Sequence, residues 1–153
     1  MRRNDKEITD VSALAAVIQK SLVCRLGLSD GLRPYVVPLC FGYQDGCLYF
    51  HSALNGNKIE MIRKNSNVCF EFDINAEVVE HQLACNWSMR YQSVIGFGKA
   101  VIIEDVEEKV TALDTIMKQY SGKSFSFPAE PVKLTTVFKV VIESMTGKQS
   151  GHL

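Results

Sequence analysis

Residues 47–73 read CLYFHSALNGNKIEMIRKNSNVCFEFD, and this stretch decides the fold. CLYFHS and VCFEFD are strand-like apolar runs. Between them, Asn55, Gly56 and Asn57 mark a loop that opens a short helix, with Ile59 and Ile62 as its inward face. A helix joining two strands interrupts what is otherwise a succession of hairpins. A barrel with helices over its ends satisfies that order and leaves few open edges.

Toward the N-terminus, LVCRLGL and PYVVPLCFGY are two more strands. Ser29-Asp30-Gly31 and Gln44-Asp45-Gly46 supply the turns, since Asp-Gly tolerates the positive φ of tight hairpins. Pro34 and Pro38 lack amide donors, so PYVVPLCFGY has an edge, a bulge or a bend at those points. Before the strands, Asp10 to Lys20 reads as a helix. Asp10 or Ser12 caps it, and Leu14, Val17, Ile18 and Leu22 recur at helical spacing.

Toward the C-terminus, Ile74 to Asn86 is polar and reads as an irregular surface excursion. YQSVIGFGKAVIIED is a long strand in which Gly96 and Gly98 allow a bend or bulge. Asp105 with Glu108 forms a capping pattern for a helix whose stripe is Val106, Val110, Leu113, Met117 and Tyr120, and Gly122 suits its end. Residues 122–134 read as a loop, and TTVFKVVIESM is the last strand. The expected fold is mainly β (α+β), a closed antiparallel sheet of six strands with flanking helices, in one domain over residues 1–153.

The 153 residues are 46% hydrophobic and 22% charged, with 17 basic and 17 acidic side chains. A neutral chain lacks the basic footprint of a nucleic-acid binder and the polybasic segment that favours an anionic membrane. No apolar run is long enough to span a bilayer, and the basic start MRRNDKEITD has no apolar region behind it. A cytoplasmic location is expected. The cysteines, at 24, 40, 47, 69 and 85, are odd in number and form no CxxC, so they read as buried thiols. No second His or Cys stands at metal-ligand spacing from His51, so no metal is expected. His81 and His152 lie in polar stretches. The Rossmann, P-loop and G-x-S-x-G patterns are absent.

The chemistry concentrates in the opening stretch. Free amides at a helix start form an anion site, above all for phosphate. Ser52 offers a hydroxyl, and Lys58 a full charge in the first turn, where the dipole alone disfavours a cation. The alternative is a solvated lysine on a connecting helix. His51 either donates to a phosphate or touches a ligand edge, or faces water at a strand end. Trp87, Met89 and Tyr91 alternate with Asn86, Ser88, Arg90 and Gln92. This is a half-buried strand, or a wall beside a planar ligand with Ser88, Gln92 and Ser93 near its polar edge.

The blocks VCRLGL, PYVVPLCFGY, LYFHSALNGNKI, RKNSNVCFEFD, YQSVIGFGKA and MTGKQS, with the N-terminal MRRNDKEITD, resemble the nitroimidazole-resistance (Nim-type) proteins. These are pyridoxamine 5′-phosphate oxidase-like flavoproteins, and the resemblance spans nearly the whole chain. It implies a six-stranded split β-barrel that binds FMN and works as a homodimer, with two FMN sites at the subunit interface. By position, it places phosphate binding on His51, Ser52, Asn57 and Lys58. It places the ring-side strand on Val36, Val37 and Pro38, and a flavin-reaching block on Gln92 and Ser93. Trp87 and Tyr91 approach from the partner subunit. True pyridoxamine phosphate oxidases carry arginine where Val36 stands, an Arg-Lys pair where Asn57-Lys58 stands, and a C-terminal segment with Trp and Arg that is missing here.

The implied activity is an FMN-dependent reduction of nitroimidazoles or other electron-poor small molecules, with the flavin performing the redox step. His51 is the one candidate for proton delivery. The alternatives are a non-catalytic FMN or haem binder and, against the missing C-terminal segment, a pyridoxamine phosphate oxidase.

Overall fold

The structure, a computed structural model, describes residues 4–151. The basic Met1–Arg3 start and His152 lie outside the described residues. The elements run β1 (Glu7–Ile8), α1 (Val11–Lys20), β2 (Cys24–Ser29), β3 (Pro34–Leu39), β4 (Gly42–Gln44), β5 (Cys47–Ala53), α2 (Asn57–Lys64), β6 (Asn67–Val79), β7 (Ser88–Ile103), α3 (Val106–Ser121), α4 (Ala129–Lys133) and β8 (Thr135–Ser150). Among the described residues, no helix is long and apolar enough to cross a membrane.

All strand pairs are antiparallel, in the order β3-β2-β6-β7-β8-β5-β4, with β1 added to β8. The two ends of this path, β3 and β4, are neighbours in sequence, joined only by Cys40 and Phe41. A flat sheet of this order would separate them by roughly 29 Å, at about 4.8 Å per strand step. The linker reaches only about 10 Å. The sheet must therefore curl until its edges meet, and the edges stay unpaired. This is a split barrel. The closed sheet expected from the strand runs alone is corrected, and the split sheet implied by the resemblance is present.

The corner is held from inside. Phe41 is fully buried, with its ring centroid 4.8 Å from that of Phe72. Its amide donates to the Tyr120 hydroxyl of α3 at 3.0 Å, and that hydroxyl donates to the Leu22 carbonyl at 2.9 Å. Burial pushes the Tyr120 phenol up to about 12. At the next residue, Gly42, a Cβ would lie 2.7 Å from backbone atoms of Thr115 and Ile116, so α3 docks backbone to backbone on β4. Hence the buried positions of α3 are Ala112, Thr115 and Ile116. The expected stripe is offset from them, with Val106 and Tyr120 at its ends exposed.

Inside the barrel, Phe50 and Phe138 face each other across β5 and β8 and stack at 5.1 Å. Phe70, Phe72, Leu26, Leu48 and Val94 complete a fully buried core. The first helix buries Leu14, Val17 and Ile18 with Asp10 as its cap, and α2 buries Ile59, Met61 and Ile62. The register of β7 against β8 shifts between Phe97 and Gly98, where a bulge was expected. Asp105 caps α3 and Gly122 ends it in the left-handed region, as expected.

Other readings change. PYVVPLCFGY is two strands because the chain turns the corner at Cys40–Phe41, and β1 brings the strand count to eight. Residues 74–79 continue β6 past a bulge at Asn75 (φ 56°) and pair with the start of β7. Past Ile74, which packs against the core, this ribbon is mostly exposed and shows no apolar face in the sequence. Residues 129–133 form α4, anchored by buried Val132. Of the cysteines, Cys24 is buried, Cys47 and Cys69 are half-buried, and Cys40 and Cys85 are exposed.

Gly42→Ala should destabilise the protein by about 1–3 kcal/mol, because the methyl meets backbone that can yield only by moving α3. Gly27→Ala is the control, since a Cβ there finds only ordinary contacts from 3.4 Å outward. Chemical denaturation compares the two, and equal stability would contradict the docking argument.

Candidate functional site

The start of α2 is built to present donors. Gly56 caps it with φ 146°, a conformation that side-chain-bearing residues rarely adopt, and offers no side chain of its own. The amides of Ile59 and Glu60 turn back to the Gly56 carbonyl at 3.0 and 3.1 Å. Those of Asn57 and Lys58 belong to the first turn and point out of the helix. Lys58 is half-buried and makes no hydrogen bond or ion pair among the described residues. Ser52, also half-buried, ends the inward row Leu48, Phe50, Ser52 of β5. This donor set fits a phosphate: two oriented amides, one cation and a hydroxyl a few residues upstream.

His51 stands on the other face of β5. Strand alternation puts it in the row of Cys47 and Tyr49, facing α3. There it lines a cleft of about 200 Å³ with Met117, Phe127, Pro131 and Val132. His51 and Ser52 thus adjoin in sequence but open onto different sides of the strand. Among the described residues, no group of three or more His, Cys, Asp or Glu could hold a metal ion.

The ring-side strand is an edge. β3 pairs only with β2, so every second backbone amide and carbonyl along it points away from the sheet. Prolines belong at such outward positions, and Val36 shares the parity of Pro34 and Pro38. Its side chain is 64% exposed, whereas Val37 packs against the core and Pro38 is exposed. On the outer face of the sheet, Phe97, Cys69, Gly27 and Val36 form one cross-strand row. Gly27 leaves a groove there of about 370 Å³, lined by Val36 at one side and Phe97 at the other.

Next to this row, Arg25 bridges Glu71 and Asp73. Asp73 and Glu71 raise the Arg25 guanidinium further. Burial, then the neighbouring Asp73, raises the Glu71 carboxyl, against the pull of Arg25. Burial likewise raises the Cys24 and Cys69 thiols, so neither is an activated nucleophile.

The remaining expected residues lie elsewhere. Trp87 precedes β7 and donates from its indole to the His81 carbonyl at 2.7 Å. Tyr91 has the Lys148 ammonium 5.6 Å from its ring centroid. Gln92 and Ser93 pair with Ile74 and Asp73 on one side and Gln149 and Lys148 on the other. The other end of β7 reaches Ile103, which shares its partner Val137 with His51. Gln92 and Ile103 are separated by about 36 Å of strand, at roughly 3.3 Å per residue. One chain therefore brings β5 and the start of α2 together but leaves Trp87, Tyr91, Gln92 and Ser93 at the opposite end of the barrel.

With this geometry in hand, comparisons place the chain among known proteins. Residues 10–149 match a family described as pyridoxamine 5′-phosphate oxidase. A solved structure of a candidate 5-nitroimidazole antibiotic resistance protein from Bacteroides thetaiotaomicron is 40% identical, with a TM-score of 0.84 over 94% of this chain and 86% of that one. Two further structures share the fold. A flavocytochrome from Azotobacter vinelandii has a TM-score of 0.85 at 18% identity, over 99% of this chain and 72% of that one. An FAD and heme binding protein from Mycobacterium smegmatis has a TM-score of 0.86 at 17% identity, over 96% and 74%. No curated protein matches the chain.

Proposed function

Because the chain belongs to the pyridoxamine 5′-phosphate oxidase family, we propose that it is a cytoplasmic FMN-dependent reductase of electron-poor small molecules such as nitroimidazoles. The observation that carries this reading is the start of α2, where amides without a side-chain cap stand beside a lysine that has no partner among the described residues. Bound FMN would supply the redox chemistry, taking electrons from a donor and passing them to an organic acceptor. The chain's own residues bind and orient. The amides of Asn57 and Lys58, the Lys58 ammonium and the Ser52 hydroxyl would hold the FMN phosphate. The outward backbone groups of Val36 and its neighbours on β3 would be the donors and acceptors offered to the FMN ring. His51 lines the apolar cleft of about 200 Å³ and is the residue placed to pass a proton to a small planar acceptor there. Val36, where true pyridoxamine phosphate oxidases carry arginine, speaks against vitamer oxidation.

The division of the candidate site supports a homodimer. If Gln92, Ser93, Trp87 and Tyr91 take part in a flavin site at α2, they would reach it from a second copy. The outer row supplies a self-complementary surface, with Phe97 (56% exposed) as the knob and the groove over Gly27 as the hole. Knob and hole on one face suit an isologous pair.

A second reading, a binder of flavin or haem without turnover, has one observation in its favour: His51 and Met117 line the same apolar cleft. Anaerobic turnover separates the two. The FMN-loaded protein should oxidise a reduced nicotinamide in proportion to a nitroaromatic acceptor consumed. Stable flavin with no turnover for several donors would favour the binder.

The light-scattering mass of the protein should be that of a dimer, and Phe97→Asp should shift it toward monomer. A wild-type monomer that keeps FMN bound would overturn the shared site. Lys58→Ala should weaken FMN binding by about ten- to a hundredfold, the loss of one charge-assisted hydrogen bond of roughly 1.5–3 kcal/mol. Riboflavin, which lacks the phosphate, should lose much less. Equal losses for both flavins, or none for either, would place the phosphate elsewhere.

A further inference from the structure

A separate cavity of about 370 Å³ lies among the end of β7, α2, α3 and α4. Three cations from three helices line it: Arg63 of α2, Lys109 of α3 and Lys133 of α4. One carboxylate, Glu104, accompanies them. Its apolar wall includes Ile103, 2% exposed, and its buried hydroxyl is Thr136, 6% exposed.

The local bonds leave most of these donors unused. Neither Arg63 nor Glu104 makes a hydrogen bond or ion pair among the described residues. Lys109 gives one of its three donors to the Thr135 carbonyl at 3.3 Å. Lys133 is held by exposed Glu130 at 2.8 Å, a class of pair that contributes little. The Thr136 hydroxyl has only a long contact to the Leu54 carbonyl at 3.4 Å.

Like charges lining one concavity repel each other, and the repulsion is least screened at Lys109, which is half-buried, whereas Arg63 and Lys133 are exposed to water. A polyanion reverses the sign of that interaction. Arg63 offers a planar fork to phosphate oxygens, the lysines add point charges, and Thr136 with the Asn55 side chain adds directional donors. The space matches small-ligand sites and exceeds what a bare phosphate needs. We infer that this cavity binds the phosphate group of a small phosphorylated metabolite, with the organic part against the apolar wall. Ser52, Asn57 and Lys58 are not among its lining residues, but Leu54 and Asn55 belong to the same loop and Thr136 pairs with Ser52, so the cavity adjoins the proposed flavin phosphate seat and the test must separate the two.

The test uses the full chain saturated with FMN, or without flavin if none binds. Inorganic phosphate and glycerol phosphate are titrated at constant ionic strength and followed by amide NMR. Saturable shifts are expected at Asn55, Glu104 and Lys109, with glycerol phosphate binding at least as tightly as inorganic phosphate. Arg63→Gln with Lys109→Gln should weaken both by about tenfold or more. Glu104→Gln, an exposed change that removes the opposing charge, should tighten both and serves if the double variant fails to fold. Absent or unsaturable shifts would overturn the inference. So would shifts that neither substitution moves, which mean an adventitious ion only. A double variant that loses FMN affinity but keeps riboflavin affinity would also overturn it, because the cavity would then be the flavin's own phosphate seat.

Discussion

Two residues, Cys40 and Phe41, tie together the opposite edges of a seven-strand path, and the rest of the structure follows from that short tether. The sheet has to curl. The curl encloses five phenylalanines, and the buried Phe41 ring anchors the corner to Phe72 and Tyr120. The closeness of α3 to β4 requires glycine at 42 and small or β-branched residues opposite it. Because the edges meet without pairing, β3 keeps a row of unspent backbone donors and acceptors. An unpaired edge is an aggregation hazard unless it is short, interrupted or covered. Pro34 and Pro38 interrupt this one, and a planar ligand with polar edges is a natural cover for it.

The same architecture splits the chemistry between two ends of the barrel. The phosphate-type donors sit where β5 runs into α2, and the aromatic and amide groups from Trp87 to Ser93 sit where β7 begins. A strand as long as β7 cannot fold these onto each other within one chain. In the proposed dimer the length becomes useful, because each copy carries its second group to the other's first. The row across Phe97, Gly27 and Val36 then serves both as contact surface and as the floor beside the ring-side edge.

Much of this was legible in the sequence, for identifiable reasons. The α2 start showed because Asn-Gly-Asn before an amphipathic run has few other meanings. The Asp105 and Gly122 caps showed because capping chemistry is local. The break at Cys40–Phe41 stayed hidden, since CFGY is as strand-like as PYVV and only the distant partners of β3 and β4 reveal a corner. The extension of β6 stayed hidden because a ribbon solvated on both faces carries no alternation. The face of α3 was misjudged because the large residues of the stripe are excluded by a backbone contact that only Gly42 permits. The resemblance places His51 with Ser52 in one phosphate-binding set, and strand parity sends their side chains to different sides of β5.

We propose that the split of this barrel is a flavin site. The most direct measurement is an absorbance titration of FMN with the purified protein. A flavin site there gives a shifted and structured flavin band that saturates at one flavin per chain. A band that stays that of free FMN at high protein concentration would contradict it.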